Sequence, residues 1–286
     1  MKYKVIHLNQ FQYETPADQS MNTLRLKPCH DESQRLLDYQ VEISPAARLE
    51  NQRDLWGNTI ESFYIANLHS ALEIKATSIV RIQKSPLVEQ LHYSAQMQTI
   101  FISPSFHEGY LPYLSQTSFT FLEQAQIDSV LKEIGPCIDP IKFALAAMRY
   151  FYASFTYKAG ITTVRTKATE AFALTQGVCQ DKAHMMIGLL RSQGIPARYV
   201  SGYLFTGKDA SLLGDEASHA WVEFIVPGIG WIGLDPTNQV EALNQHIRVS
   251  AGRDYADVSP VEGVYRGGKQ SLRVEVSVEL IDEAKS

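Results

Sequence analysis

The chain has 286 residues, of which 45% are hydrophobic and 20% are charged. This balance is typical of a globular protein and excludes a disordered or fibrous chain. The length is sufficient for one large domain or for two domains. The formal net charge is −5, and no run of Lys or Arg occurs, so we expect neither nucleic acid nor an anionic membrane as the main partner.

The N-terminal residues and the three cysteines indicate the cellular compartment in which we expect the protein. Residues 1–7 contain two lysines but no apolar stretch of signal-peptide length, and no segment is long enough to cross a bilayer. Cys29, Cys137 and Cys179 are too few and too scattered for a disulfide framework. We therefore expect a cytoplasmic protein, in which an unpaired cysteine with a histidine elsewhere in the chain is a candidate nucleophile. The oligomeric state cannot be read from the sequence.

Residues 1–85 predict an N-terminal β-rich domain. Short segments of alternating character are separated by turn residues, with Gly57 and Asn58 in the clearest turn. The pair Cys29-His30 has no further ligands at metal spacing, and we expect no site there. The predicted strands are 3–13, 21–26, 37–43, 59–66 and 72–82.

Residues 86–137 predict a connector with one short helix at 121–134. The third segment, residues 138–286, begins with a helix start in which Asp139 is the N-cap and Pro140 the first helical residue. We expect that helix to run to about residue 157. A second short helix is predicted at 168–174.

The next stretch places a cysteine at the start of an apolar helix. After the turn-forming Gly177, residues 183, 186, 187 and 190 lie on one helical face with Cys179. The positive end of the helix dipole favours a thiolate there. For this stretch alone, an ordinary buried cysteine is the simpler interpretation. The helix is expected to end at Gly194, and an extended run follows at 197–204.

Two later segments supply partners for this cysteine. Residues 218–226 alternate as a strand with His219, Trp221 and Glu223 on one face, and residues 231–237 form a second strand that contains Asp235. A cysteine nucleophile needs a base to hold its proton, and the base needs an acceptor that orients it. Cys179, His219 and Asp235 supply these three roles.

The spacing of the two strands tests this triad. If Val226 pairs with Trp231 across a regular four-residue turn, Asp235 lies opposite Val222 and on the wrong face for His219. Both side chains share a face only with a three- or five-residue loop or a β-bulge. We predict such an irregularity.

Several spaced motifs together resemble the transglutaminase-like superfamily of cysteine enzymes, in its bacterial form with an N-terminal β domain. The resemblance implies an α+β, papain-like core of helices against an antiparallel sheet. It also implies Cys179 as nucleophile, His219 as general base and acid, and Asp235 as the residue that orients this histidine. The matching core segments are 177–184, 194–203, 219–223, 231–237 and 252–260, with weaker matches at 25–28, Gln34 and 54–58.

The function expected from this resemblance is attack on an amide or peptide bond through a thioester, with a peptide or protein substrate. Hydrolysis and acyl transfer both stay open, and a catalytically inactive member that binds a peptide or protein is the alternative. Gln176 or Trp221 could donate to the oxyanion, although a tryptophan in a strand is more often a core residue. Asp181 and His184 are expected to cap and to pack. We predict no cofactor and no metal site.

Overall fold

The computed structural model describes residues 1–207, 212–213 and 218–281. Parts of the predicted third segment, residues 208–211, 214–217 and 282–286, lie outside this description. The strands are β1 Lys2–Leu24, β2 Gln34–Ser44, β3 Glu50–Arg53, β4 Thr59–Ile65, β5 His69–Ile82, β6 Thr156–Tyr157, β7 Gln176–Gly177, β8 Ala197–Leu204, β9 His219–Val226, β10 Gly230–Asp235, β11 Val240–Glu241, β12 His246–Gly252, β13 Val261–Arg266 and β14 Gln270–Leu280. The helices are α1 Ala95–Phe101, α2 Pro104–Gly109, α3 Leu111–Leu114, α4 Gln124–Ile134, α5 Pro140–Ser154, α6 Ala168–Leu174, α7 Cys179–Ser192 and α8 Tyr255–Val258, with a 3₁₀ turn at Val88–Gln90.

The N-terminal sheet is built around the long strand β1. In the order β2-β5-β1-β4-β3, β5 pairs with residues 2–17 of β1 and β4 with residues 20–24. On its other edge, β1 pairs with β14 over residues 3–13 and with β13 over residues 18–24. Along β1 the first ten residues alternate between half-buried and buried side chains, as expected for a strand with one face on a core. The α+β fold with a β-rich N-terminal part is confirmed.

The C-terminal strands were not anticipated. Residues 261–280 fall in the predicted third segment, yet their hydrogen bonds join them to the N-terminal sheet. The reason is that β14 offers a second long partner to β1 over residues 3–13. The division into 1–85, 86–137 and 138–286 stays a prediction, with this pairing added to it.

The helical part contains more elements than the sequence indicated. The connector holds α1, α2 and α3 before α4, which begins at Gln124. In α5 the Asp139 side chain accepts from the backbone N–H groups of Ile141 at 2.9 Å and Lys142 at 3.2 Å, so the predicted N-cap is confirmed. The predicted end of that helix was wrong, because α5 ends at Ser154 and residues 156–157 pair instead with β7.

The second sheet carries α7 on one face. Its strand order is β11-β10-β9-β8-β12, and all neighbouring pairs are antiparallel. Alternate residues of β9, Ala220, Val222 and Phe224, belong to the same apolar cluster as Ala183, Met186 and Ile187 of α7. Apart from Ser192, every residue of α7 is buried. The helix that begins at Cys179 is therefore fixed against this sheet along its whole length.

The predicted irregularity between β9 and β10 is present. Val226 pairs with Gly230, so the loop contains only residues 227–229, and Leu234 pairs with Val222. The residue numbers of each pair sum to 456, so every odd-numbered residue of β10 lies opposite an odd-numbered residue of β9. The strand positions of Asp235 and His219 therefore share one face of the sheet. A three-residue loop thus confirms the register that the triad requires.

The two sheets are joined through the edge strand β12. The Gln34 side chain accepts from the Arg248 N–H and donates to the Arg248 carbonyl, both at 2.8 Å. Asn58 makes the same two-way contact with Ala251, at 2.8 and 2.9 Å. These side chains satisfy backbone groups that an edge strand leaves open, which explains why Gln34 and Asn58 lie in motifs far from the triad.

Candidate active site

Cys179 is the first residue of α7, and a tight local structure fixes it. The Asp181 side chain accepts from the Val178 N–H at 2.8 Å and from the Thr162 hydroxyl at 2.6 Å. A Cβ on Gly177 would lie only 2.5 Å from Asp181 Oδ2, so this position requires glycine. The predicted capping role of Asp181 is confirmed. Cys179 itself is 5% exposed.

His219 opens β9 and is hydrogen bonded to Asp235. The distance from its Nε2 to Asp235 Oδ2 is 2.8 Å, and both side chains are completely buried. Burial acts to lower the pKa of His219, but the Asp235 carboxylate and the neighbouring Cys179 side chain outweigh it, so the pKa is raised. The imidazolium form is thus favoured in this pocket.

The second ring nitrogen of His219 is available to the thiol. Nδ1 has no hydrogen bond of ordinary geometry within the described ranges, and Cys179 lies close enough to the ring to contribute to its raised pKa. Since Nε2 faces Asp235, the interaction with Cys179 falls to Nδ1. The structure therefore brings Cys179, His219 and Asp235 together in the order that the sequence indicated.

Asp235 is held by a dense set of donors. Its Oδ1 accepts from the Thr237 N–H at 2.8 Å and the Asn238 N–H at 3.2 Å, while the Asn238 amide donates to Oδ2 at 2.7 Å. Burial acts to raise the pKa of Asp235, but the contacts with His219 and His246 outweigh it and hold the pKa well below its ordinary value. Asp235 is an ionised acceptor.

His246 is a member of this group that the sequence did not reveal. Its Nε2 lies 3.0 Å from Asp235 Oδ2, the same oxygen that His219 contacts, and the residue is 1% exposed. The residue opens β12, an edge strand separated from β10 by β9 and β8, and no sequence motif links it to Asp235. A prediction of β12 and of its pairing with β8 would have been needed to find it.

Lys182 is a second unanticipated neighbour. It is 2% exposed, and its Nζ lies 3.4 Å from the Tyr152 carbonyl oxygen and 5.6 Å from the centroid of the Tyr152 ring. Burial lowers the pKa of Lys182 to about 8, while the Asp235 charge opposes this shift. A lysine in the first turn of a helix whose later residues are mostly apolar was the signal that could have pointed to it.

Three residues that the sequence singled out remain to be placed: His184, Trp221 and Gln176. His184 is completely buried between Phe119 and Tyr199, at ring distances of 5.3 and 4.9 Å, so the packed histidine is confirmed. The Trp221 indole packs over Gly202 and Gly233 on the sheet face away from the main α7 cluster. Gln176 is half-buried in β7. The oxyanion roles of Gln176 and Trp221 stay predictions.

His219, Asp235 and His246 are also a group that could hold a metal ion. Within the part of the chain that the structure describes, their candidate ligand atoms lie within 4.8 Å of one another. The hydrogen bonds among them account for the same short distances, and a cation there would replace those bonds. The helices that the structure describes include none with the length and apolar character needed to cross a membrane.

Comparison with known proteins agrees with this geometry. The sequence profile of the transglutaminase-like superfamily matches residues 128–236, and that of the bacterial transglutaminase-like N-terminal region matches residues 3–81. An uncharacterized protein of Mycobacterium leprae is 34% identical over 283 residues, which is 98% of each chain. The chain belongs to the transglutaminase-like superfamily.

Two further proteins resemble this chain over different shares of its length. A protein-glutamine gamma-glutamyltransferase of Pseudomonas aeruginosa is 33% identical over 142 residues, covering 43% of this chain but 20% of that protein. A crystal structure from Cytophaga hutchinsonii, described as a candidate cysteine protease, matches with a TM-score of 0.79 and 24% identity over 100% of this chain and 92% of the other. This last likeness concerns the superfamily fold alone.

Proposed function

We propose that this protein is a cysteine enzyme that cleaves or transfers amide bonds through a thioester on Cys179. The observation that carries the proposal is the buried 2.8 Å contact between His219 and Asp235, with the thiol of Cys179 beside the same imidazole. A raised pKa on His219 favours a thiolate–imidazolium pair, which is the reactive form of a cysteine nucleophile. Peptides or proteins are the proposed substrates, and the cytoplasm the proposed location.

The reaction proceeds in two halves. The Cys179 thiolate attacks the carbonyl carbon, and the new oxyanion is bound by N–H donors, for which the Cys179 backbone N–H at the start of α7 is the first candidate. His219 then gives its proton to the amine as the C–N bond breaks, leaving a thioester. Water or an amine attacks the thioester, His219 removes its proton, and the C–S bond breaks to release Cys179.

Labelling with iodoacetamide at neutral pH tests the nucleophile. Burial raises the pKa of Cys29, and burial with the nearby Asp139 charge raises that of Cys137 to about 11, so both should react slowly. We expect Cys179 to be modified first in the wild type and to lose this preference in His219→Ala. Equal and slow modification of all three cysteines would contradict the proposal.

Substrate profiling tests the reaction. Peptide and isopeptide libraries are incubated with the wild type, with Cys179→Ala and with the matched control Cys137→Ala, each with and without an added amine. Cleavage or amine incorporation that depends on Cys179 and survives in Cys137→Ala supports the enzyme, and the amine distinguishes hydrolysis from transfer. Selective binding of a peptide without any turnover by the wild type would favour a binding protein instead.

A further inference from the structure

The carboxylate of Asp235 serves two histidines instead of one. His219 and His246 approach the same oxygen, Oδ2, at 2.8 and 3.0 Å, and the two ring centroids are 5.9 Å apart. A carboxylate only accepts hydrogen bonds, so the Nε2 atom of His246 must be the donor. His246 is therefore committed to the tautomer that carries its proton on the side of Asp235.

The ring of His246 is itself held in place. It packs edge-on against the Trp221 indole, with the ring centroids 5.2 Å apart. His246 is also the first residue of β12, and its backbone pairs with Leu204 of β8. An orientation fixed by an aromatic neighbour and a sheet strand costs little further ordering when the hydrogen bond forms. The donor is thus pre-aimed at Asp235.

His246 also separates Asp235 from open space. A cavity of about 420 Å³ lies between the segment 86–90, α5 and the β11–β12 region, and His246 lines it together with Leu145, Met148 and Val240. Asp235, by contrast, is 0% exposed. Removing the ring would connect the carboxylate with this cavity and admit water, which weakens a charge–charge contact in a buried site.

We propose that His246 is a positioning residue, which keeps Asp235 ionised, dry and aimed at His219. The role rests on the proposed function, because it acts on Cys179 only through Asp235 and His219. It touches neither the thiol nor the acyl group that the thiol would carry. The hydrogen bond, and not the bulk of the ring, is the property that matters.

Paired substitutions separate these two properties. His246→Gln places an amide N–H close to the position of Nε2, whereas His246→Leu fills space without a donor. The second-order rate of iodoacetamide modification at Cys179 is measured at pH 7 in the full chain, with and without EDTA, together with the Tm of each variant. We expect the rate to fall about tenfold in His246→Leu and to stay within about threefold of the wild type in His246→Gln, as the loss of a hydrogen bond to a charged group predicts.

The outcomes are distinct. A wild-type rate in His246→Leu overturns the proposal, and so does an equal loss in both variants, since the ring and not its donor would then be required. If His246→Leu does not fold, His246→Phe retains a ring without a donor and takes its place.

Loss of the wild-type reactivity on adding EDTA would assign the three side chains to a metal ion and would also overturn the positioning role of His246. A wild type whose Cys179 reacts no faster than Cys137 refutes the proposed function itself, before any His246 variant is compared.

Discussion

At the scale of single residues, the proposed triad predicts that Asp235 controls the reactivity of Cys179 at neutral pH. Asp235→Asn removes the largest contribution that raises the pKa of His219, so this pKa falls. The imidazolium that favours the thiolate is then populated only at lower pH. We expect the Cys179 modification profile to shift to higher pH, and turnover to fall by about 10²- to 10⁴-fold.

The control for this prediction is Asp254→Asn. Asp254 is a buried carboxylate that caps α8 and accepts from the Ala256 N–H, a role that asparagine retains. Its modification profile should match that of the wild type. An Asp235→Asn profile that also matches the wild type would remove Asp235 from the triad.

Lys182 affects the stability of the folded state, because burial of its ammonium group is unfavourable. The pKa of Lys182 is about 8 in the folded protein, compared with an ordinary 10.5. The folded state therefore disfavours the proton, and the cost is present in full below pH 8 and disappears as the pH rises to 10.5. Lys182→Met should raise the free energy of unfolding by about 1–2 kcal/mol at pH 7, and the gain should shrink between pH 8 and 10.5.

Urea unfolding of both proteins at several pH values measures this effect. Lys142→Met is the matched control, since the Lys142 side chain is 84% exposed and its burial changes little on folding. A Lys182→Met variant that is less stable than the wild type at pH 7 would show that the ammonium is stabilised by its surroundings after all.

At the scale of elements, α7 depends on close approach to a loop. A Cβ on Gly188 would lie 2.0 Å from the Thr120 carbonyl oxygen, although alanine has the higher helix propensity by about 1 kcal/mol. Gly109, in α2, has no atom within 4 Å of the same position. We expect Gly188→Ala to destabilise by about 1–3 kcal/mol and Gly109→Ala to be neutral or stabilising, as Tm measurements would show. Equal shifts in both variants would refute the close contact.

The sequence predicted the elements whose pattern is local. Strands β8 and β9 and helices α6 and α7 could be placed from periodicity, β-branched residues and glycine. The requirement that Asp235 face His219 predicted a three- or five-residue loop or a β-bulge between β9 and β10, and the structure has the three-residue loop. The pairing of β14 with β1 could not be found, because no local pattern specifies a partner about 260 residues away. The same reason hid His246, which reaches Asp235 only through the pairing of β12 with β8.

At the scale of the whole molecule, Arg248 ties the second sheet to the N-terminal part. Its guanidinium contacts Asp31, donates to Cys29 Sγ at 3.1 Å and lies 3.4 Å from Glu223, which Arg198 also contacts. Arg248→Met removes one of the two arginine partners of the buried Glu223 and the arginine partner of Asp31, whose side chain is 37% exposed. Because solvent screens part of these contacts, we expect a loss of about 1–2 kcal/mol.

The loss should appear in urea unfolding followed by both tryptophan fluorescence and circular dichroism. Arg273→Met is the control, because Arg273 and Glu275 form a pair with side chains 73% and 49% exposed, and such pairs contribute little. Unchanged stability in Arg248→Met would show that the other contacts of the junction, among them those of Gln34 and Asn58, hold it without the guanidinium.

The pairing of β1 with β14 also determines when the N-terminal sheet can be completed. A ribosome releases residues 2–24 about 250 residues before residues 270–280, which at about 5–20 residues per second is a delay of about 12–50 s. During that interval one long edge of β1 has no partner strand, and an open edge can recruit other chains. The nascent protein should therefore be most dependent on chaperones while the part that contains Cys179 and His219 is still being made.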